Sequence, residues 1–344
     1  MTEIITPFET PPEQGEVTQV AEGVLWLRLP LPMALNHVNI YVLDDGDGWC
    51  VVDTGYNTKL TIEIWEALLS GPLAGRPVTK VLLTHHHPDH IGLVGWFQAR
   101  GAELITSRTA FLLGRMLTLD VQEEWPKKTV AFYRAAGMPE ALIEEREKAR
   151  PFNFSDVVHP MDVGYDRIAE GQVIQLGGRK WTVRMGGGHA PEHVTLWSND
   201  DPLIIAGDQI IHGISPNVGV YPTEPNSDPL TDWIETCTRL NAYATPDQLV
   251  LSGHKLPFKG LPTRLDQMIE NHETALERLL DFLKEPRSAA DCFDVLFGRS
   301  LKPTELGLAL VEAIAHVNHL WLAGLADRSL DSDGVYRFTK REGA

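Results

Sequence analysis

Thr84-His85-His86-His87-Pro88-Asp89-His90 follows an apolar run and sets three imidazoles and a carboxylate in the pattern His-x-His-x-Asp-His. Neutral imidazole and carboxylate are ligand types that suit Zn2+, and four of them within six residues of one loop can converge on a small volume. Three more segments end a strand-like run with glycine and one such side chain: Gly186-Gly187-Gly188-His189, Ala206-Gly207-Asp208 and Leu251-Ser252-Gly253-His254. Glycine where a strand gives way to a loop lets the next side chain reach the sheet edge. Each alone reads as a turn; beside the 85–90 cluster they complete a set of metal-ligand types. His86, between two of these residues in an extended loop, is expected to point away from them.

Elements that could position this set are legible in the residue pattern. Val24–Leu29, Val38–Leu43 and Trp49–Val52 are β-branched or aromatic runs, separated by Pro and by the Asp-Asp-Gly-Asp-Gly turn at 44–48. Asn57 can cap a helix whose apolar positions Leu60, Ile64 and Leu68 recur every fourth residue, with Gly71-Pro72 as its stop. Lys80–Thr84 predicts a strand, followed by the His-rich loop and a helix from about Asp89 to Arg100. Residues 108–150 predict a helical insertion broken at Pro126 and Pro139. Strands resume at Val173–Leu176, Lys180–Met185, Val194–Trp197, Leu203–Ala206 and Leu249–Leu251, with a helix near Pro229–Leu240. Beyond Pro262 an apolar stripe through Leu265, Met268, Ile269, His272 and Leu276 predicts a long helix. Helices near Ala289–Leu296 and Leu306–Leu322 and a terminal hairpin strand at 334–338 complete a winged-helix-like module. The expected domains are therefore 1–261 and 262–344.

Composition narrows the function classes. Lys and Arg number 30 against 47 Asp and Glu, a formal net charge of −17 that opposes attraction to phosphate backbones and anionic membranes. The 262–344 segment holds 10 Lys and Arg against 14 Asp and Glu, whereas a winged helix that grips DNA is basic. Cys50, Cys237 and Cys292 are three and far apart, so neither a disulfide framework nor a thiolate zinc site is expected. No basic start followed by an apolar stretch opens the chain, and no run approaches the ~18 apolar residues of a membrane span. The expectation is a cytoplasmic protein with no nucleic-acid or membrane partner, and a homo-oligomer is one option.

With these motifs in hand, the chain resembles the metallo-β-lactamase superfamily of hydrolases. Its five motifs match in order: Asp53 in Val-Val-Asp-Thr-Gly, the 85–90 cluster, His189, Asp208 and His254. The resemblance implies an α+β fold, a four-layer αββα sandwich with metals at one edge of its paired sheets. It assigns one metal to His85, His87 and His189 and another to Asp89, His90 and His254, with Asp208 bridging both. Two Zn2+ ions are implied, with iron or manganese as alternatives. Two dications, two carboxylates and a bridging hydroxide leave a cluster near +1, so a shared water can deprotonate near neutral pH and attack a metal-polarised carbonyl. Asp53, placed beside the ligands by the family, is expected to accept a ligand's other ring N–H. The helices and hairpin of the tail resemble the branch that holds glyoxalase II-like proteins and related endoribonucleases.

The expected substrate is a thioester, ester or lactone, because no dedicated acid is evident to protonate an amide leaving group. Lys255-Leu256-Pro257-Phe258-Lys259-Gly260, after His254, departs from the glutathione-binding pattern of glyoxalase II. A phosphodiesterase or endoribonuclease and an iron-dependent oxygenase are the alternatives on the same residues. His193 and Glu192 either orient His189 or cap the next strand. His212, Ser215, Asn217 and Tyr221 follow Asp208 and are candidate substrate contacts. Lys127, Lys128, Arg134, Arg146, Lys148 and Arg150 of the insertion either meet an anionic part of the substrate or form a solvated helix surface. His37, His159, His272, His316 and His319 are read as structural.

Overall fold

The computed structural model describes residues 3–343; Met1, Thr2 and Ala344, the ends of the two expected domains, lie outside them. Two compact units divide the chain. Unit 1 runs through Val121 and adds Asn153–Pro216 and Leu240–Arg264; unit 2 comprises Gln122–Phe152, Asn217–Arg239 and the residues from Leu265 onward.

Unit 1 is a sandwich of two sheets. Strands β1 (Thr18–Ala21), β2 (Val24–Pro30), β3 (His37–Asp44), β4 (Trp49–Val52), β5 (Val78–Leu82), β6 (Glu103–Thr106) and β7 (Asp166–Arg167) form one sheet in sequence order. Its first pairs are antiparallel hairpins, and β4 to β7 pair in parallel, each reached by a crossover. Strands β8 (Val173–Leu176), β9 (Arg179–Gly186), β10 (His193–Ser198), β11 (Leu203–Gly207) and β12 (Leu249–Ser252) form the second. The sheets meet in a dry layer where Trp26, Tyr41, Leu43, Val52 and Leu82 of the first pack with Trp181, Val183, Leu196, Ile205 and Leu251 of the second. On the first sheet's other face lie α1 (Lys59–Ser70), α3 (Val94–Gln98) and α4 (Arg108–Leu119), held by Ile64, Trp65, Leu68, Trp96, Phe97 and Phe111.

Local signals decide the helix ends. Helix α1 is capped by Thr58, whose hydroxyl accepts the Thr61 N–H, rather than by Asn57. The single helix expected over 89–100 is two short ones, α2 (Pro88–Ile91) and α3, because Gly92 and Leu93 turn the chain between them. Gly92 has no room for a side chain: a Cβ there would stand 2.2 Å from the Gly55 carbonyl oxygen.

Unit 2 is helical. It holds α5 (Lys127–Ala135), α6 (Glu140–Glu147), most of α7 (Pro229–Asn241) and α8 (Leu261–Phe282), then α9 (Phe293–Phe297), α10 (Leu306–Leu322) and the hairpin β13 (Ala326–Leu330) with β14 (Tyr336–Lys340). Packing regroups the expected 108–150 insertion. Helix α4 stays with the sandwich because Ala110 and Phe111 join its core. The rest is tied to the tail, where Ala290 N–H donates to the Ala136 carbonyl at 3.0 Å. Segment 217–221 follows it: Val220 N–H donates to the Val311 carbonyl at 3.0 Å, and Asn217 Nδ2 to Glu312 Oε2 at 2.8 Å. No helix among the described residues is long and apolar enough to cross a membrane, and all three cysteines are buried, none of them in a disulfide.

Candidate metal centre

The site lies where strands of both sheets end. Asp53 follows β4, the His-rich loop follows β5, His189 follows β9, Asp208 follows β11 and His254 follows β12. Among the described residues, three groups have ligand atoms that all lie within 4.8 Å of one another: His85, His87 and His189; Asp89, His90 and His254; and His85, His90 and Asp208. The structure therefore gathers all seven residues that the sequence motifs pointed to. Asp208 stands in the middle, its Oδ2 3.2 Å from His254 Nε2, 3.4 Å from His90 Nε2 and 3.6 Å from His189 Nε2. Asp89 Oδ2 is 3.4 Å from His254 Nε2 and 3.6 Å from His90 Nε2, and His85 Nε2 faces His87 Nδ1 at 3.0 Å.

These spacings fit a divalent cation. Ligand atoms about 2.0–2.2 Å from a tetrahedral Zn2+ stand roughly 3.3–3.6 Å apart. His90 Nε2 and Asp208 Oδ1 are enclosed yet have no hydrogen-bond partner among the described residues, a cost that a cation would remove. The protonation pattern agrees. Burial, then the neighbouring imidazoles, hold His85 and His87 well below the ordinary histidine range, so both are neutral donors. Burial also pushes His90 and His254 down, but Asp208 and Asp89 outweigh it and raise both. The carboxylates thus draw positive charge into the pocket, which a dication can supply while the imidazoles stay neutral.

The surrounding residues lock this geometry. Asp53 holds φ at 61°; its Oδ2 accepts His90 Nδ1–H at 2.8 Å, and its Oδ1 accepts the Thr84 N–H at 2.9 Å. His90 Nε2 is thereby aimed at the carboxylates. His193 stacks on His85, with ring centroids 4.5 Å apart, and its Nε2 accepts the Asp208 main-chain N–H at 3.1 Å. Burial, then His189, pushes His193 down to about 3, which keeps that nitrogen an acceptor. Glu192 is turned elsewhere: its Oε2 accepts the Thr109 N–H at the start of α4, at 2.7 Å. His86 belongs to none of the three groups and lies near Phe154, ring centroids 6.5 Å apart.

The candidate substrate residues are split. His212 is in unit 1, half-buried with its ring 5.5 Å from Phe258. Asn217 and Tyr221 belong to unit 2, where Asn217 donates to Leu308 and Glu312. Three of the insertion's six cations have local partners: Arg134 pairs with Glu140, Arg150 with Glu123, and Arg146 lies 5.6 Å from the Tyr133 ring centre. Sequence reasoning missed Tyr56, which is buried; desolvation, then the Asp89 charge, pushes its phenol up to about 12. It also missed His37, whose carbonyl accepts His254 Nδ1–H at 2.7 Å across 217 residues of chain. Tyr56 stands three residues after Asp53, a hint; a main-chain acceptor leaves no residue signature.

Known proteins share the fold. The family model of the metallo-beta-lactamase superfamily matches residues 34–107, and that of the metallo-beta-lactamase-like C-terminal domain matches residues 276–341. A crystal structure of a beta-lactamase domain protein from Burkholderia ambifaria is 34% identical, with a TM-score of 0.90 over 98% of both chains. A metallo-beta-lactamase family protein from Thermus thermophilus is 26% identical, with a TM-score of 0.77 over 94% of this chain and 100% of that one. The probable metallo-hydrolase YqjP of Bacillus subtilis (strain 168) is 26% identical over 313 residues, 87% of this chain and 92% of its own. The chain belongs to the metallo-β-lactamase superfamily of metal-dependent hydrolases.

Proposed function

We propose that the protein hydrolyses a thioester, ester or lactone at a dinuclear divalent-metal centre. The observation that carries the dinuclear reading is Asp208 Oδ2, within 3.2–3.6 Å of histidines from both groups, His254 and His90 on one side and His189 on the other. His85, His87 and His189 would hold one cation, Asp89, His90 and His254 the other, and Asp208 both. Bound there, the cations would supply a nucleophilic water near neutral pH and polarise the substrate carbonyl. Zinc suits this donor set, and iron and manganese share it.

The protein's own part is positioning. Asp53 and the His37 carbonyl fix the tautomers of His90 and His254, so each Nε2 lone pair faces inward. His193 holds the main chain of Asp208, keeping its carboxylate between the two groups. The leaving group decides the substrate class. The cluster's imidazoles and carboxylates are committed to one another, and Tyr56, up at about 12, is a weak proton donor at neutral pH. A thiolate or alkoxide of an activated acyl compound leaves without such help, whereas an amine does not. The net charge of −17 adds nothing that would draw a polynucleotide.

The test is a panel of thioesters, lactones, aryl esters, β-lactams and phosphodiesters, offered to protein of measured metal content with Asp208→Ala alongside. Acyl-ester or thioester turnover in the wild type, lost in the variant, is the expected result. Equal turnover by both proteins would falsify the mechanism, and turnover of phosphodiesters alone would replace the substrate class.

A further inference from the structure

The loop that carries His254 is fastened to the opposite sheet to an unusual degree. Main-chain atoms of Ser252, at the end of β12, and of Gly253 and Lys255 just beyond it are gripped by residues of β2 and β3 in the first sheet. Asn39 N–H donates to the Gly253 carbonyl at 2.6 Å, and Asn39 Nδ2 to the carbonyls of Ser252 and Lys255 at 2.9 and 2.8 Å. Tyr41 Oη donates to Ser252 O at 2.8 Å. Arg28 Nη2 donates to Lys255 O at 2.7 Å, while Arg28 Nε and Trp26 Nε1 both hold Asn39 Oδ1. The loop needs such restraint. Lys255 sits at φ 66°, a conformation disfavoured for a residue with a side chain, and Gly253 is packed so closely that a Cβ would stand 2.1 Å from Asp208 Oδ1.

His37 closes this strap from its outer end with both its main chain and its ring. Its carbonyl accepts His254 Nδ1–H at 2.7 Å, and its Nε2 accepts the Lys255 N–H at 3.0 Å. The peptide N–H can only donate, so Nε2 is the acceptor and Nδ1 carries the proton, which goes to Asn36 Oδ1 at 2.9 Å. Both sides of the His254–Lys255 linkage are therefore held by one residue. If the ring bond is lost, Lys255 loses a partner that favours its left-handed φ, and the main-chain bond from the residue 37 carbonyl is left to direct the His254 ring without that support.

We propose that His37 is a positioning residue for the metal centre, clamping the His254–Lys255 linkage so that the Asp89–His90–His254 position binds its cation tightly. The proposal rests on the dinuclear reading above. Its loss weakens that position selectively, because His85, His87 and His189 are held by other elements. Positioning partners of this type typically alter metal affinity by about 10–100-fold.

The experiment titrates metal-free full-length protein with Co2+, reading stoichiometry by equilibrium dialysis and coordination by visible absorption. Wild type takes up two equivalents. His37→Leu keeps bulk but cannot accept the Lys255 N–H; it should bind one equivalent as wild type does and the other at least tenfold more weakly, with an altered absorption band. His37→Gln keeps an acceptor and should restore that equivalent to within about threefold of wild type. His37→Phe, which likewise keeps bulk and cannot accept the Lys255 N–H, carries the comparison if His37→Leu does not fold. Wild-type affinity for both equivalents in His37→Leu, or in His37→Phe where that variant stands in, overturns the role of His37, as does binding by His37→Gln as weak as in His37→Leu. Uptake of a single equivalent by the wild type overturns the dinuclear reading itself.

Discussion

Both units bury histidines, to opposite ends. In unit 1, His90 and His254 face Asp89 and Asp208 and are raised despite burial, while His85 and His87 are lowered among other imidazoles. In unit 2, His272 and His316 pack against each other, 3.3 Å between Nδ1 and Nε2, and His316 Nδ1 donates to the Glu312 carbonyl at 2.8 Å. Desolvation, then His316, pushes His272 down to about 3, and desolvation pushes His316 down to about 4. The Glu312 carboxyl bonds Asn217 instead, and burial pushes it up to about 7. Buried imidazole alone thus makes a neutral core pair. Imidazole converging on enclosed carboxylates makes a cation site.

The comparison can be broken at its strongest point first. Asp208→Asn removes the shared charge; it should lower turnover by at least about a thousandfold and reduce bound metal from two equivalents per chain, measured by elemental analysis beside steady-state kinetics. Retention of two equivalents would show that the carboxylate is not what separates the two histidine sets. Gly253→Ala comes next. Its Cβ would press on Asp208 Oδ1 and on His90 Cε1, 2.9 Å away, so metal affinity should drop by about tenfold or more. Gly178→Ala is its control: open space surrounds that position at φ 72°, and it should cost about 1 kcal/mol of stability without changing metal affinity.

Unit 2 should answer to acid rather than to metal. Its two histidines have folded values below the ordinary 6.5, so their stabilising effect is complete above pH 6.5 and is lost as pH falls toward 4 and then 3. Each contributes a slope of about 1.4 kcal/mol per pH unit across its window. Glu312 runs the other way between its ordinary 4.5 and about 7, and offsets one histidine over the shared range. Chemical denaturation of unit 2 between pH 6.5 and 4.5, followed by tryptophan fluorescence, should steepen in Glu312→Gln and flatten in His272→Leu. An unchanged slope in both would mean that the pair is not held neutral. The smallest effect belongs to the exposed Arg134–Glu140 pair: Arg134→Ala should leave the melting temperature and turnover unchanged within error.

The metal cluster was legible because its ligands sit where glycine-marked strands end. His-x-His-x-Asp-His is a local pattern, and His189, Asp208 and His254 each follow a strand and a glycine. The grouping of the helices was not. Residues 122–152 and 217–239 carry ordinary helical and loop patterns, and only main-chain bonds such as Ala290 to Ala136 and Val220 to Val311 show which body they join. The same limit hid the turn at Gly92 and Leu93, where Gly92 also packs closely against Gly55, features that the periodicity of 89–100 does not carry.

Residue type and spacing by themselves determined that seven donors of the right chemistry exist and that they belong at strand ends. Tertiary structure alone decided which nitrogen of each imidazole faces inward, that Asp208 stands between the two groups, and that His37 rather than a nearer residue orients His254. The physical reason is range. Ligand identity is a property of single side chains, whereas tautomer, direction and shared position depend on hydrogen bonds between residues up to 217 positions apart, which only the packed sheets bring together.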